Sequence, residues 1–199
     1  MTNMSARHCI NGSPYVAPQV PTLYTAATVG EHNTNETVYG AVHPFIVSSD
    51  DIVDIVVNNR NGGIHPFHLH GHHFQVLERL QTGAGEWPGA EHASGGYNPK
   101  PPMRDTVSVF PQSHAVLRFH ANNPGVYLFH CHIEWHVEMG LTATIIEAPD
   151  MLRDIEIPKD HIDACKKGGI PYKGNAAGNY KDPLDTTGIV YEPSLEYHG

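Results

Sequence analysis

Residues 125–136 read G-V-Y-L-F-H-C-H-I-E-W-H. The first nine follow the turn signal Asn122-Asn123-Pro124 and are apolar enough to form a strand. Imidazoles buried in such a strand without partners would be costly, so His130 and His132 call for an explanation. Successive side chains of a strand point to opposite faces. His130 and His132 therefore share one face, roughly 6.5 Å apart along the chain, while Cys131 points the other way. One strand serves two sites back to back, with a thiolate offered on one side and a pair of imidazoles on the other.

Similar runs flank it: 52–57 (IVDIVV), 74–80 (FQVLERL), 106–110 (TVSVF), 115–121 (AVLRFHA) and 141–147 (LTATIIE). Strands at this spacing, with no convincing helical period and no internal repeat, indicate an antiparallel sandwich or barrel. Composition agrees, with 19 Gly and 16 Pro and only 17% charged residues, against about 25% in an average globular chain. Residues 1–35, polar and broken by Pro14, Pro18 and Pro21, read as a linking segment crossing a surface. Residues 36–149 read as the β domain, and 150–199 as a loop-rich C-terminal extension with one short amphipathic piece around 160–167. A glycine- and proline-rich loop fills 83–102. The expected fold is all-β, a sandwich with an extension containing a short helix.

Several classes are excluded. Twelve Lys+Arg against 21 Asp+Glu give a net charge of -9, the wrong balance for a nucleic-acid partner. No run of about 18 apolar residues is present to span a membrane, and Met1–Gly12 lacks the apolar centre of a signal peptide. Cys9, Cys131 and Cys165 make no C-x-x-C pair and no disulfide framework. At most one bridge can form, and Cys9 with Cys165 is the pairing that leaves Cys131 free.

Sixteen histidines outnumber the lysines and arginines together, and eight of them fall in two windows. The first is His65-Pro66-Phe67-His68-Leu69-His70-Gly71-His72-His73, and the second is His130 to His136. A soft thiolate with two histidines describes a blue-copper centre, and an imidazole pair suits a multinuclear copper or iron site. Zinc competes for the same ligands, but structural zinc sites favour paired ligands from knuckles. The alternation through Cys131 is better explained by electron transfer to its neighbours.

H-P-F-H-L-H-G-H (65–72) and H-C-H-I-E-W-H (130–136) resemble the two C-terminal copper signatures of the multicopper oxidases, the family of laccases, ascorbate oxidases and ferroxidases. The likeness runs from NGSPYVAPQVPTLYTA (11–26) through GNAAGN (174–179) and is nearest to the fungal laccase and iron-oxidase branch. It implies the third cupredoxin domain of such an oxidase, a Greek-key β-sandwich. It also implies His65, Cys131 and His136 as ligands of a type 1 copper, His68 as a ligand of the type 2 copper, and His70, His130 and His132 as ligands of the type 3 pair where dioxygen is reduced. The axial position of the type 1 site falls on Leu141, not Met139. A leucine cannot coordinate, which raises the reduction potential. Glu134 matches an acidic position that helps deliver protons to the cluster, and is the candidate catalytic side chain. His72 and His73 have no ligand role in the pattern and are expected as supporting or surface residues. Asp105 is expected to anchor a loop.

In the family the trinuclear cluster takes eight histidines from the first and last domains, and this chain supplies four. The two N-terminal cupredoxin domains are missing from it. The chain therefore reads as a fragment of a longer oxidase or a truncated gene model, able to hold a type 1 copper but requiring those domains to reduce O2 to water. Two donors compete, a phenol or pigment precursor and ferrous iron. The iron oxidases place an aspartate four residues before the first type 1 histidine, where this chain has Asn61. An amide is a weaker ligand for a hard cation than a carboxylate. The expectation adopted is a laccase-like copper oxidoreductase, with a ferroxidase as the alternative and a non-catalytic cupredoxin-like electron-transfer module as the alternative of another class. A secreted or cell-wall location goes with this chemistry and with the N-x-S/T triplets at Asn3, Asn11 and Asn35.

Overall fold

In a computed structural model of the chain, residues 8–90, 97–153 and 155–192 are described. Residues 91–96 of the expected 83–102 loop, and the triplet at Asn3, lie outside them. Among the described residues nine strands form two sheets. They are β1 (Pro44–Val47), β2 (Ile52–Asn59), β3 (His65–Leu69), β4 (Phe74–Arg79), β5 (Met103–Arg104), β6 (Thr106–Val109), β7 (Ser113–His120), β8 (Gly125–Cys131) and β9 (Thr142–Glu147). One sheet runs β1-β9-β8-β3-β6 and the other β2-β7-β4-β5. All pairings are antiparallel except β1 with β9. The sandwich expected from the strand spacing is present.

The sheets face each other through alternate residues. β3 is buried at His65, Phe67 and Leu69 and only half-buried at Pro66 and His68, the period-two pattern of a strand with one inner face. Phe67, Leu69, Phe74, Leu117, Phe119, Phe129 and Ile145 fill the space between the sheets, and Phe67 and Phe129 stack with ring centroids 5.1 Å apart. Each such side chain contributes about 1.5–3 kcal/mol on burial. Asp54 and Arg118, opposite each other on β2 and β7, form a bidentate ion pair on the outer face of the second sheet.

β9 departs from this alternation, because all six of its residues are buried. The cause is a second small core on its far side. Ala26, Val29, Val38, Tyr39, Val42 and Leu152 pack around Ile146. Ala26 lies in α1 (Thr22–Thr28), Val38 and Tyr39 in a 3-10 turn (Glu36–Tyr39), Leu152 in α3 (Pro149–Leu152), and Val29 and Val42 in the connections beside them. A strand covered on both faces reads as a near-continuous apolar run, and L-T-A-T-I-I departs from one only at Thr142 and Thr144, both buried. Residues 22–42 thus form the outer layer of this core, where the sequence suggested a segment crossing the surface up to residue 35 and the β domain beyond it. The amphipathic piece near 160–167 is α4 (Lys159–Gly168). It has no buried residue, and Gly169 closes it in a left-handed conformation.

β3 ends at a turn that only glycine can make. Gly71 has φ +72°, and a Cβ there would lie 2.3 Å from the Tyr127 ring. The turn leaves His70 exposed and returns His72 to the interior. All three cysteines are free, so Cys9 and Cys165 are not bridged.

Candidate metal centre

Cys131 ends β8 with its side chain fully buried between the sheets. The chain then doubles back on itself. Ile133 leads into α2 (Glu134–Glu138), a single short turn that carries His136 over the sulfur. Backbone hydrogen bonds from the Cys131 amide to the Leu141 carbonyl and from the Leu141 amide to the His136 carbonyl close the loop. His65, at the start of β3, enters the same space from the neighbouring strand.

The three donor atoms form a triangle. His65 Nδ1 and His136 Nδ1 are 3.1 Å apart, and they lie 3.7 and 3.4 Å from Cys131 Sγ. The centre of such a triangle lies about 2 Å from each corner, against metal–nitrogen and metal–sulfur bonds of about 2.0–2.3 Å. Among the described residues this is the group of three metal-binding side chains whose donor atoms all fall within 4.8 Å of one another. Burial, then the nearby His136 and His8, push the His65 imidazole down to about 4, so it is neutral and ready to donate a lone pair at pH 7. Burial raises the Cys131 thiol, against a backbone hydrogen bond from Ile133 that lowers it. The thiol proton must therefore be displaced by whatever binds there.

Leu141 packs into the core beside Cys131, while Met139, at the end of α2, is only partly buried. The two imidazoles and one sulfur, with an apolar side chain at the expected axial position, form a soft trigonal set of the kind that holds copper in electron-transfer sites.

On the opposite face of the same strands stand four more imidazoles. His68 on β3 is directly opposite His130 on β8 in the register. Ring centroids are 5.0 Å apart for His68–His70, 5.7 Å for His68–His130, 5.8 Å for His68–His132, 5.1 Å for His70–His130 and 5.6 Å for His130–His132. His132 falls just past the strand end, yet its amide still bonds to the Pro66 carbonyl at 2.6 Å, which keeps it in line with His130.

Two of these rings have their tautomer set. His68 Nδ1 donates to the Asp105 carbonyl at 2.8 Å and His130 Nδ1 to the Cys131 carbonyl at 2.9 Å, which leaves each Nε2 as the free lone pair. Asp105 thus acts through its main chain: its carbonyl also accepts the Leu69 amide. His70 Nε2 and His130 Nε2 face each other at 3.0 Å. Loss of solvation, then the neighbouring imidazoles, lowers the His70 pKa. The His130 pKa is lowered by burial, partly offset by its bond to the Cys131 carbonyl. The Glu134 carboxylate is exposed at the start of α2, within electrostatic range of His130, where it favours the protonated ring.

The two histidines expected in supporting or surface positions separate. His73 is exposed. His72 is buried, and its Nε2 meets Glu147 Oε2 at 2.6 Å. The Asn123 amide donates to the other oxygen of the same carboxylate. Spacing gave no sign of this pair, because 75 residues separate the partners. A carboxylate ending the apolar run LTATIIE was the available signal, since a buried charge requires a partner.

Sequence reading also missed His8. Its ring centroid lies 4.2 Å from that of His136 and 5.8 Å from that of His65. Asn61, taken as a marker of the electron donor, turns its side-chain oxygen back to accept the Gly63 amide at 2.7 Å.

Comparison with known proteins agrees with this geometry. The sequence profile described as multicopper oxidase matches residues 15–151. The iron transport multicopper oxidase fetC of Epichloe festucae is 54% identical over 177 residues, covering 87% of this chain and 28% of that protein. The iron transport multicopper oxidase FET3 of Saccharomyces cerevisiae is 44% identical over 190 residues, covering 89% of this chain and 29% of that protein. The crystal structure of Fet3p, a multicopper oxidase that functions in iron import, superposes with a TM-score of 0.81 at 41% identity over 90% of this chain and 36% of that one. The chain therefore spans about three tenths of the length of the curated relatives it matches, and its two-sheet architecture is the cupredoxin-like fold of that neighbour. With a copper-type triad on one side of β8, an imidazole face on the other, and a family profile spanning both, the chain belongs to the multicopper oxidase family.

Proposed function

We propose that this chain is the copper-bearing terminal part of an iron-oxidising multicopper oxidase, in which ferrous iron gives up single electrons at the His65–Cys131–His136 site and O2 is reduced at the imidazole face. The observation that carries the reading is the back-to-back placement of a buried thiol triad and a four-imidazole face on one strand pair. Copper bound at the triad would supply one-electron redox chemistry, and copper held jointly by His68, His70, His130, His132 and residues of other domains would supply the reduction of dioxygen.

The rest follows from this chain's own residues. His65 and His136 present Nδ1 and Cys131 presents its sulfur, while Leu141 offers no fourth donor. The peptide bonds joining Cys131 to His130 and His132 connect the two sites by a short covalent route. His68 and His130 are held by main-chain carbonyls with Nε2 outward, as ligands completing a shared site should be. Glu134 would pass protons to that face, a role supported by its exposure and its electrostatic influence on His130. An extracellular location goes with this reading, and Asn11 and Asn35 are exposed. Among the described residues no helix is long and apolar enough to cross a membrane.

Ferrous iron replaces the phenolic donor adopted from sequence. The relatives that match nine tenths of the chain are named for iron transport. The argument from Asn61 also loses its force: its side-chain oxygen serves the turn at Gly63, and an aspartate would serve it equally. The test is a comparison of kcat/KM for ferrous iron and for a methoxyphenol, in the complete copper-loaded protein. A preference for iron of tenfold or more is expected. A preference for the phenol would return the assignment to the laccase-like reading.

A further inference from the structure

Of the three triad members, Cys131 and His65 are sealed in the sandwich, at 0% and 3% exposure. His136 is the one that reaches toward solvent, being only partly buried. The ring that lies against it comes from neither sheet. His8 packs on His136 with centroids 4.2 Å apart and planes inclined by 45°, and meets His65 edge-on at 5.8 Å.

The contact is anchored by the main chain. The His8 amide bonds to the Met139 carbonyl at 3.0 Å, and the Tyr15 amide bonds to the Gly140 carbonyl at 3.0 Å. These bonds dock residues 8–15 on the end of the short helix that carries His136. Gly140, at φ +105°, makes the docking possible: a Cβ there would lie 2.6 Å from Pro14 Cβ and 3.0 Å from the His8 carbonyl oxygen. The close approach is thus written into both partners.

We propose that His8 is a positioning residue of the type 1 copper site, acting through His136. Its ring holds the His136 imidazole in orientation and keeps water from the exposed side of the centre. This rests on the copper reading of the triad. A cupric ion with two neutral imidazoles and one thiolate carries a net charge of +1, and the cuprous form carries none. Water stabilises the charged form more, so a site opened to solvent favours the oxidised state and has a lower reduction potential.

The test uses the full copper-loaded chain and three proteins: wild type, His8→Ala and His8→Phe. Their reduction potentials are measured by titration against a mediator of known potential. The thiolate-to-copper absorption and the copper hyperfine splitting are recorded alongside. His8→Ala is expected to shift the equilibrium with the mediator about tenfold toward the oxidised form, which is about 59 mV for one electron. It should also broaden the spectroscopic signature as His136 loses its fixed orientation. His8→Phe keeps a ring and the main-chain anchors, and is expected to restore both readouts. If His8 served only to pin the N-terminal segment, neither readout would move in either variant, and that result overturns the proposal. The same holds if both variants shift equally, since the ring would then be irrelevant. Absence of blue colour in the wild-type protein would instead overturn the copper reading itself.

Discussion

Acidifying the metal-free protein tests the electrostatics of the triad directly. The His65 imidazole has an ordinary value near 6.5 in the unfolded chain and about 4 in the folded one, through burial and then the proximity of His136 and His8. Between these two values the unfolded state binds more protons than the folded state, so stability rises with pH across that window and falls as the pH is lowered through it. Above pH 6.5 the group contributes nothing to the pH dependence. Linkage gives a loss of about 2 kcal/mol at pH 5 and about 3 kcal/mol once the pH is below 4. Urea unfolding of the metal-free chain at pH 7 and pH 5 measures the drop. Other histidines with lowered values, such as His8, His43 and His130, add to the total, so the informative quantity is the difference between wild type and His65→Phe. Removing the imidazole should cancel about 2 kcal/mol of the loss between pH 7 and pH 5. Equal losses in the two proteins would refute the reasoning, because His65 would then be charging without cost and could not be buried as described. Bound copper should carry this dependence below pH 4 rather than remove it, since an occupied lone pair keeps the folded state from taking up the proton that the unfolded chain still binds.

Two further outcomes follow from the fold. Glu147→Ala leaves buried His72 unpaired and orphans the Asn123 amide, and should cost about 3–5 kcal/mol in urea unfolding, whereas Glu147→Gln, which keeps an acceptor, should cost about half as much. Gly71→Ala forces a Cβ into the Tyr127 ring at a positive φ and should destabilise by about 2 kcal/mol or more in thermal unfolding, with little recovery from a compensating Tyr127→Phe, because the clash includes ring carbons.

What the sequence could disclose depended on how far apart the interacting residues lie. β8 was legible because its signals are local: GVYLF is an apolar run after a turn signal, and the chemistry of His130, Cys131 and His132 comes out of three adjacent positions. β3 was harder, since Pro66 and the crowded histidines of His65–His70 resemble no ordinary strand. It forms because Pro66 needs no ladder donor and because β6 and β8 flank it on both sides. α1 was hidden for a different reason. TLYTAAT follows Pro21 with no side-chain cap and buries only Thr25, Ala26 and Ala27, so its helix is specified by packing on Ile146 and Leu152 rather than by local propensity.

The same distinction runs through the site, and it explains which residues answer to motif and which do not. The triad and the four imidazoles lie within two windows, so spacing could propose them, and the sheet register then places them. His8 and Glu147 have no such signal, because their partners are 128 and 75 residues away. Neither binds at the triad, yet each acts on a ring belonging to one of the two histidine windows: Glu147 through buried His72, two residues from His70, and His8 through partly buried His136. A motif records which atoms can hold a metal. How long those atoms stay in place, and how much water reaches them, is decided by residues that the motif does not contain. Within the triad the least protected member is His136, carried on a helix of five residues and covered by a ring from the N-terminal segment, so the redox behaviour of the centre should be more sensitive to residues 8–15 than to positions of the sandwich core other than the triad and the axial Leu141.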